Sequence, residues 1–325
     1  MGGGMDLRQL RTFREIAEAG SLSRAADRLR IAQPALSRQV RLLEAEAGLA
    51  LFTRHGRGMA LTEAGRELLA RVVGPMRQLE HAVAEVRALA GTVAGQVALG
   101  MMPTVAAVLA GPLSRRVAQR HPDVSLRVVE GYTGHLIEWV QRGATDATLL
   151  YGRATDFHLP VRDLFVEGLV LAGPPGSGLS PSVPVSLATA AHHPLVLPSR
   201  PHGLRAIVDA AASRARIILN LRHEADSFLV LKDLVECGLG FAILPRSAIR
   251  REEAEGRMTV APLVRPAIRR HVVLALPPDR APGRATEAVL ALLAEEVAAR
   301  AREGDWRLSA DAGGASHLRT TPPKA

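Results

Sequence analysis

Arginine, serine and glutamine side chains share one face of a short segment near the amino terminus. Between residues 33 and 46, Leu36, Val40 and Leu43 recur at the helical spacing i, i+4, i+7, which predicts a buried stripe. The outward face carries Gln33, Pro34, Ala35, Ser37, Arg38 and Arg41. Arginine can bond one guanine through two donors, and serine or glutamine can reach base edges or phosphates. This face has the chemistry of a major-groove reading surface; the alternative is a solvated, arginine-rich helix face.

The flanking residues predict the elements that must position this face. Residues 7–19 form a first amphipathic helix that Gly20 ends, and Ser21 or Ser23 caps a second helix through Leu29. Pro34 suits the first turn of the third helix, which Gly48 ends. Residues 51–54 and 59–62 read as strand, turn and strand, with Arg54 and Arg57 at the tip. This order predicts a winged helix-turn-helix over residues 5–62.

A long helix is expected to follow. Thr62 can cap it, with Glu63 in its first turn, and an apolar seam continues to about residue 90. Gly74-Pro75 interrupts the seam and is expected to kink the helix. We predict that residues 63–90 form a linker helix that pairs two copies of the chain.

Beyond a linker at 91–95, short apolar runs alternate with helical stretches. Strands are expected at 96–101, 125–130 and 147–151, with helices at 104–120 and 134–142, and this βαβαβ rhythm implies a mainly parallel sheet. A second set is expected to contain strands at 169–172, 195–197, 217–219, 241–244 and 272–276, helices at 203–214 and 226–237, and a last helix at 284–302. We predict two α/β lobes within residues 95–302, lobe I from 95–165 with 268–302 and lobe II from 166–267. The polar tail at 303–325 is expected to be disordered.

Two such lobes would enclose a cleft. Ligands of α/β sheets bind at strand carboxyl ends and helix amino termini, and Met102 and Thr104 lie where a strand runs into a helix. Thr104 is expected to cap that helix. Ser199, Arg200 and His202 follow the strand 195–197, and Arg200 and His202 are candidates to bind an anion directly. Further lining candidates are Thr133, Tyr151 and Phe228.

The order of parts resembles the LysR-type transcriptional regulators over residues 5–300. The residues that carry the resemblance are Ala25-Ala26, Gln33 to Val40, Leu43-Glu44, Leu51 to Arg54 and Leu61 to Gly65, and in the second half Val129 to Gly131 and Gly238 to Pro245. Residues 103–113 and 131–136 are most similar to the nitrogen-assimilation regulator branch. The expected fold class is α + α/β: a winged helix-turn-helix, a long linker helix and a two-lobed effector domain of periplasmic-binding-protein type.

The resemblance also implies partners and roles. Ser23 and Arg24 would lie near the DNA backbone, and Arg54 and Arg57 would touch phosphate or the minor groove. The expected partners are double-stranded DNA with an interrupted inverted repeat, a small-molecule effector, further copies of the chain as dimer and tetramer, and RNA polymerase. The leading guess for the effector is a small acidic metabolite, with an inorganic anion second. A regulator without any ligand is the alternative within the family.

Composition and absent motifs weigh against other classes of protein. The formal net charge is +9, but residues 1–95 hold 14 Arg against 10 Asp and Glu, so more than half of the surplus lies outside the proposed DNA-binding part. Nucleophile-elbow, zinc-protease and phosphate-loop motifs do not occur, which argues against an enzyme, and no cofactor or metal site is expected. The single cysteine, Cys237, is expected to be packed and inert rather than a redox switch. The first twenty residues lack the apolar stretch of a secretory signal, which argues against an exported solute-binding protein and predicts a cytoplasmic protein without a membrane span.

Overall fold

The computed structural model describes residues 6–55, 58–88, 93–200, 202–304 and 306–309. The chain divides into two compact units, the first spanning Met1–Val83 with Arg142–Ala144 and the second spanning Ala84–Gln141 with Thr145–Ala325.

The first unit contains three short helices, a hairpin and a long helix whose last residues, from Ala84, belong to the second unit. They are α1 (Leu7–Ala19), α2 (Leu22–Leu29), α3 (Gln33–Ala47), β1 (Phe52–His55), β2 (Gly58–Leu61) and α4 (Glu63–Ala88). Phe13, Ile16, Leu36 and Leu43 are fully buried in its core, which shows that the predicted apolar stripes face inward. The strands pair antiparallel, with Phe52 opposite Leu61.

Local signals in the sequence set the ends of these helices. Asp6 accepts the backbone N–H of Arg8 at 3.0 Å, and Gly20 ends α1 with φ +61°. Ser21 rather than Ser23 caps α2, and Thr62 accepts the N–H of Gly65 at 2.9 Å at the start of α4. These residues leave few helix-end donors unbonded, so the sequence determines the helix boundaries locally.

Helix α4 runs unbroken from Glu63 to Ala88 with Pro75 inside it. The helix does not end at Gly74-Pro75, and the kink expected there stays a prediction. A proline removes one hydrogen bond, and the turns on either side can continue the helix. Leu79, Val83 and Val86 are at least half exposed, so the later part of α4 presents an exposed apolar stripe.

The second unit has two hydrophobic cores. The first lobe contains β3 (Gly95–Met101), α5 (Pro103–Arg120), β4 (Val124–Glu130), α6 (Thr133–Gln141) and β5 (Ala147–Tyr151). The strands β4, β3 and β5 lie side by side in parallel, as the βαβαβ rhythm predicts. Leu99, Leu109, Leu149 and Leu293 are fully or almost fully buried between this sheet and its helices.

A long strand, β6 (Val161–Gly173), leads into the second lobe. That lobe contains β7 (Val185–Ser186), α7 (Leu187–Ala190), β8 (Leu195–Leu197), α8 (Gly203–Arg214), β9 (Leu221–Glu224), α9 (Phe228–Glu236), β10 (Ala242–Pro245), α10 (Arg250–Ala254) and β11 (Thr259–Val264). The chain then returns to the first lobe through β12 (Arg269–Ala275), α11 (Arg284–Arg302) and β13 (Trp306–Leu308).

The two lobes share β6. Its first part pairs antiparallel with β12 and β13, and from Leu169 onward it pairs antiparallel with β10 and β11. At the crossing, the Leu169 N–H donates to the carbonyl oxygen of Ile268 at 2.9 Å. The predicted parallel pairing occurs among β4, β3 and β5, between β8 and β9 and between β11 and β7, whereas the strands that connect the lobes pair antiparallel.

Two further sequence predictions are wrong in their positions. The strand expected at 217–219 is the closing turn of α8, where the Ile217 N–H donates to Ala212 and Ile218 is 92% exposed. The strand follows at Leu221–Glu224 and pairs with β8. The tail expected to be disordered from Glu303 contains β13, which is held by Trp306, a buried aromatic residue in a polar segment; residues 310–325 lie outside the described part.

No helix among the described residues is long and apolar enough to cross a membrane.

Candidate nucleic-acid interface and ligand cleft

Helix α3 carries an exposed polar face whose cations have no acidic partner in the part of the chain that the structure describes. Gln33, Pro34, Ala35, Arg38 and Arg41 are exposed, and Ser37 is half-buried. No ion pair joins Arg38 or Arg41 to a carboxylate within the described residues; Arg41 Nε donates only to the Ser37 carbonyl oxygen of its own helix, at 3.4 Å. Unpaired guanidinium groups on a rigid helix are available to phosphates and to base edges.

Polar contacts fix α3 against the rest of the first unit. The Thr12 hydroxyl, which is buried on α1, donates to the side-chain carbonyl of Gln39. At the other end, Glu44 Oε1 accepts the N–H groups of Leu51 at 2.8 Å and Phe52 at 3.3 Å. Glu44 thus joins α3 directly to the hairpin. The sequence analysis assigned no positioning role to Thr12 or Gln39.

The hairpin packs so closely on the helices that glycine is required at two positions. A Cβ at Gly58 would lie 2.3 Å from the carbonyl oxygen of Gly20, and a Cβ at Gly65 would lie 2.1 Å from that of Leu51. The Met59 N–H donates to Gly20 at 3.0 Å, which ties β2 to the end of α1. The glycine in the Leu61 to Gly65 motif therefore serves backbone packing.

The remaining predicted DNA contacts lie on the flanks of this face. Ser23 and Arg24 are exposed in the first turn of α2, and Arg54 is exposed on β1. Within the described residues no ion pair involves Arg24 or Arg54, whereas Arg28 on the same helix as Arg24 pairs with Glu15 at 3.1 Å. Arg57 lies outside the described residues.

In the second unit, Thr104 lies at the base of the cleft between the lobes. It does not cap α5, as the sequence predicted, because Met102 holds the capping position. Its hydroxyl instead bonds the Tyr151 hydroxyl and accepts from Arg270 Nη2 at 2.9 Å. Burial raises the pKa of the Tyr151 phenol, so this residue remains a neutral hydroxyl against which the Arg270 guanidinium stacks at 4.3 Å.

A hydrogen bond joins the two lobes across the cleft. The Tyr132 hydroxyl of the first lobe donates to the Asp226 carbonyl oxygen of the second at 2.9 Å. The Asp226 carboxylate accepts the Ser199 N–H at 2.8 Å, and its bonds with Ser199 hold its pKa below the usual value. Ser199 thus orders the loop on which Asp226 lies, rather than facing the cavity.

The histidine expected to bind an anion has another role. His202 Nδ1 accepts the Leu204 N–H at 3.1 Å, so this side chain caps α8. Burial is the main cause that lowers its pKa, and the positive charge of Arg270 acts in the same direction against the opposing effect of Asp226. Because Nδ1 accepts that bond, only Nε2 of His202 remains for a ligand, and its predicted contact with an anion stays a prediction.

The other predicted lining residues are scattered. Arg200 is 83% exposed and lies 3.8 Å from Asp209, so it does not project into the cleft as predicted. The main cavity of the cleft, about 560 Å³, is lined by Phe228 but by none of the other predicted residues. Thr104 and His202 line an adjoining space of only about 10 Å³, whereas Met102, Thr133 and Tyr151 line neither.

Apart from Phe228, the residues that line the main cavity were not among the sequence-predicted candidates. Tyr132, Trp139 and Phe228 supply three of the chain's ten aromatic side chains, alongside the carboxylates of Glu130 and Asp226. Lys232 also lines it, but its ammonium group is bound to Glu252 at 2.6 Å. Two carboxylates against one neutralised amine do not favour the small acidic ligand that the sequence suggested. The concentration of aromatic residues in 131–139 was the available signal.

Two stretches of the chain match known families. Residues 7–66 match the family described as "Bacterial regulatory helix-turn-helix protein, lysR family", and residues 90–298 match the "LysR substrate binding domain". The chain belongs to the LysR family. The resemblance seen in residues 25–65 is therefore confirmed, as is the fold class of a winged helix-turn-helix joined to a two-lobed α/β domain.

Relatives of this LysR-family chain are named as regulators. It is 30% identical to "HTH-type transcriptional regulator BbuR" of Bordetella bronchiseptica over 93% of both chains. It is 34% identical to "Nitrogen assimilation regulatory protein nac" of Klebsiella aerogenes, over 76% of this chain and 80% of that one. Among solved structures, full-length CbnR complexed with its target DNA has the same fold, with a TM-score of 0.66 and 22% identity over 91% of this chain and 99% of that one.

Membership of the LysR family determines the class of activity. This LysR-family protein is a DNA-binding transcription regulator with a ligand-binding domain, and it is not an enzyme. Members of the family also oligomerise. Within the described residues, no group of three or more His, Cys, Asp or Glu side chains could hold a metal ion. Cys237 is exposed at the end of α9 and is not packed as predicted.

Proposed function

We propose that this LysR-family regulator reads the sequence of double-stranded DNA with the outward face of α3. The observation that carries the proposal is the set of unpaired, exposed arginines on a helix whose opposite stripe is buried. Arg38 and Arg41, with Gln33, Pro34, Ala35 and Ser37, would meet base edges in the major groove. Because the partner is chromosomal DNA, we infer that the protein acts in the cytoplasm.

Residues beside this face would hold the phosphate backbone. Ser23 and Arg24 on α2 and Arg54 on β1 are exposed on both flanks of α3. Arg57, next to the described end of the hairpin, belongs to the same group by its position in the sequence. Contacts of this kind fix the register of a protein on the duplex and make its affinity depend on salt.

We infer that two chains pair through α4. Leu79, Val83 and Val86 form an uncovered apolar stripe at spacing i, i+4, i+7, which a second copy of the helix would cover. Such a dimer presents two α3 helices to an interrupted inverted repeat. In this arrangement residues 5–62 read DNA, and residues 63–90 pair with the same helix of a second chain. Residues 95–302 sense a ligand and complete a tetramer, which acts on RNA polymerase.

The sensing step would occur in the cavity of about 560 Å³ between the lobes. A ligand there lies beside the Tyr132–Asp226 bond that joins the two lobes. A compound that binds one arrangement of the lobes better than another shifts their population and with it the DNA complex. The three aromatic rings favour an apolar or aromatic compound without a net negative charge.

One observation favours a second candidate, a regulator of the same family that needs no ligand. The Thr104 hydroxyl is already bonded to Tyr151 and Arg270, and the adjoining space is only about 10 Å³. In that case the lobes would keep one arrangement. Titration of a neutral aromatic library against the protein would separate the two candidates, since the second predicts no shift in thermal midpoint with any compound.

The experiment that tests DNA reading is fluorescence anisotropy on DNA from the protein's own upstream region, compared with scrambled DNA at two salt concentrations. We expect tighter binding to the native DNA, and a loss of about 1–3 kcal/mol with relaxed preference for Arg38→Ala. The matched control is Arg8→Ala, an exposed arginine on α1 away from the reading face. Equal loss in both variants, or equal binding of both DNAs, would overturn the proposal.

A further inference from the structure

A second large pocket of the effector unit is bordered by arginines. It has a volume of about 730 Å³ and lies between three segments: Gly152–Asp156 of the first lobe, α8 from Ile207 to Arg214 in the second lobe, and the connection Pro266–His271. It shares no lining residue with the cavity that holds Tyr132 and Trp139. The pocket therefore differs from the proposed sensing site in position and in lining.

The charge of this pocket is strongly positive. Each of the three segments contributes one exposed arginine, namely Arg153, Arg214 and Arg269. Within the described residues, no ion pair joins any of these three guanidinium groups to a carboxylate. Most other arginines of this unit are paired, such as Arg205 with Glu224 at 2.8 Å and Arg280 with Asp146 at 2.8 Å. Arginines left unpaired at one pocket form a concentrated positive site.

One carboxylate also lines the pocket, and it is already engaged. Asp156 Oδ2 accepts the backbone N–H of Arg153 at 2.7 Å, and Oδ1 accepts the Thr155 hydroxyl at 3.5 Å. It offsets a single positive charge, so the three arginines retain a net positive excess. This excess also accounts for part of the basic surplus outside the DNA-binding part.

We infer that this pocket binds a small polyanion that carries two or more phosphate or carboxylate groups. A guanidinium group matches phosphate and carboxylate oxygens in a planar, two-point arrangement, and three of them from separate segments suit several charged groups on one molecule. The volume lies within the range of small-molecule sites. One isolated monoanion would leave at least one guanidinium group unpaired.

Binding here would act on the arrangement of the lobes. Arg153 belongs to the first lobe, Arg214 ends a helix of the second, and Arg269 begins the strand that returns between them. A polyanion bound to all three joins the lobes on a face other than the aromatic cavity. The site is therefore a second input to the regulator, independent of what the aromatic cavity binds.

The test titrates pyrophosphate into the full-length protein by isothermal titration calorimetry. The salt concentration is about 0.15 M, where the Debye length is about 8 Å and non-specific attraction of the probe to the basic protein is screened. Citrate, matched for ionic strength, is the second probe. We expect one saturable site per chain for at least one probe. In the triple variant Arg153→Ala, Arg214→Ala and Arg269→Ala, affinity falls by roughly tenfold or more.

The matched control removes three other exposed arginines that have no ion pair within the described residues, Arg115→Ala, Arg127→Ala and Arg222→Ala, and we expect a change below about twofold. Absence of saturable binding by either probe to the natural chain, or equal weakening in both triple variants, overturns the inference. A third result would also overturn the inference: a pocket variant that binds DNA as weakly as Arg38→Ala but keeps its affinity for the probes. The three pocket arginines would then contact DNA and not a small polyanion.

Discussion

The guanidinium group of Arg270 donates from Nε to the carboxylate of Glu167 at 2.6 Å, and both side chains are almost completely buried. The two residues face each other where β12 pairs with β6, next to the crossing between the lobes. The second oxygen of Glu167 accepts from the Ser247 hydroxyl at 2.9 Å and from Trp306 Nε1 at 3.0 Å. One carboxylate thus connects both crossing strands, the second lobe and the last strand.

We predict that Glu167→Gln destabilises the effector unit by about 3–5 kcal/mol, because it leaves the Arg270 charge buried without a partner. Urea unfolding followed by tryptophan fluorescence measures this selectively, since Trp139 and Trp306 both lie in that unit. The control is Glu255→Gln, which breaks the exposed pairs with Arg251 and Arg257 and should change little. Similar midpoints for all three proteins would contradict the prediction.

The close approach at Gly65 predicts a loss of stability in the first unit. Gly65→Ala places a methyl group 2.1 Å from the carbonyl oxygen of Leu51, and the hairpin must move; overpacking of this kind costs about 1–3 kcal/mol. Gly134→Ala on α6 meets no atom within 4 Å and should be neutral or slightly stabilising. Thermal unfolding followed by circular dichroism distinguishes the two. A midpoint for Gly65→Ala at or above that of the natural chain would refute the packing argument.

Arg54 on the hairpin is expected to contact phosphate rather than bases. Arg54→Ala should weaken native and scrambled DNA by the same factor and should reduce the slope of log K against log salt by about 0.9. Arg57→Ala is expected to behave in the same way. Anisotropy titrations at four salt concentrations measure the slope, with Arg8→Ala as control. An unchanged slope combined with weaker binding to native DNA alone would instead indicate base contact.

His202 predicts how stability depends on pH. Burial lowers its pKa in the folded chain, so below about pH 6.5 the unfolded chain takes up a proton that the folded chain does not. Stability should therefore fall as the pH drops from 6.5 towards the folded pKa, by at most about 1.4 kcal/mol per pH unit from this residue. His202→Asn keeps a cap on α8 and should lose this component. Urea unfolding at pH 7.5 and 5.5 compares the two proteins, and equal losses in both would exclude His202 as the source.

Local signals account for the parts of the fold that the sequence predicted well. Pro194 and Pro198 bracket β8, and α8 and α11 begin and end at the expected residues. The strand at 217–219 was misplaced because an apolar run looks the same in a helix-closing turn and in a strand. The partner strand decided between them, and pairing between β8 and β9 is not visible in local sequence.

The cleft was harder to predict than the reading helix for a related reason. The face of α3 follows from helical periodicity within fifteen residues. The Arg270–Glu167 pair joins residues 103 positions apart, and the Tyr132–Asp226 bond joins residues 94 apart. Bonds from Arg270 and Tyr151, 166 and 47 positions away, engage the Thr104 hydroxyl, which its residue type alone did not reveal. His202 is engaged locally instead, by the Leu204 N–H.

The short strand β13 has a practical consequence for anyone who cuts this chain. Trp306 stacks on Phe165 at 3.9 Å, yet the family match ends at residue 298. An expression fragment that ends at residue 298 would lose the Trp306 ring that stacks on Phe165 and one hydrogen-bond donor to Glu167. The strands that cross between the lobes would then lack two of their contacts. Conversely, a fluorophore attached at position 309, where the Ser309 N–H donates to the Leu164 carbonyl oxygen of β6 at 3.0 Å, would lie next to the strand that both lobes share and would report their relative movement.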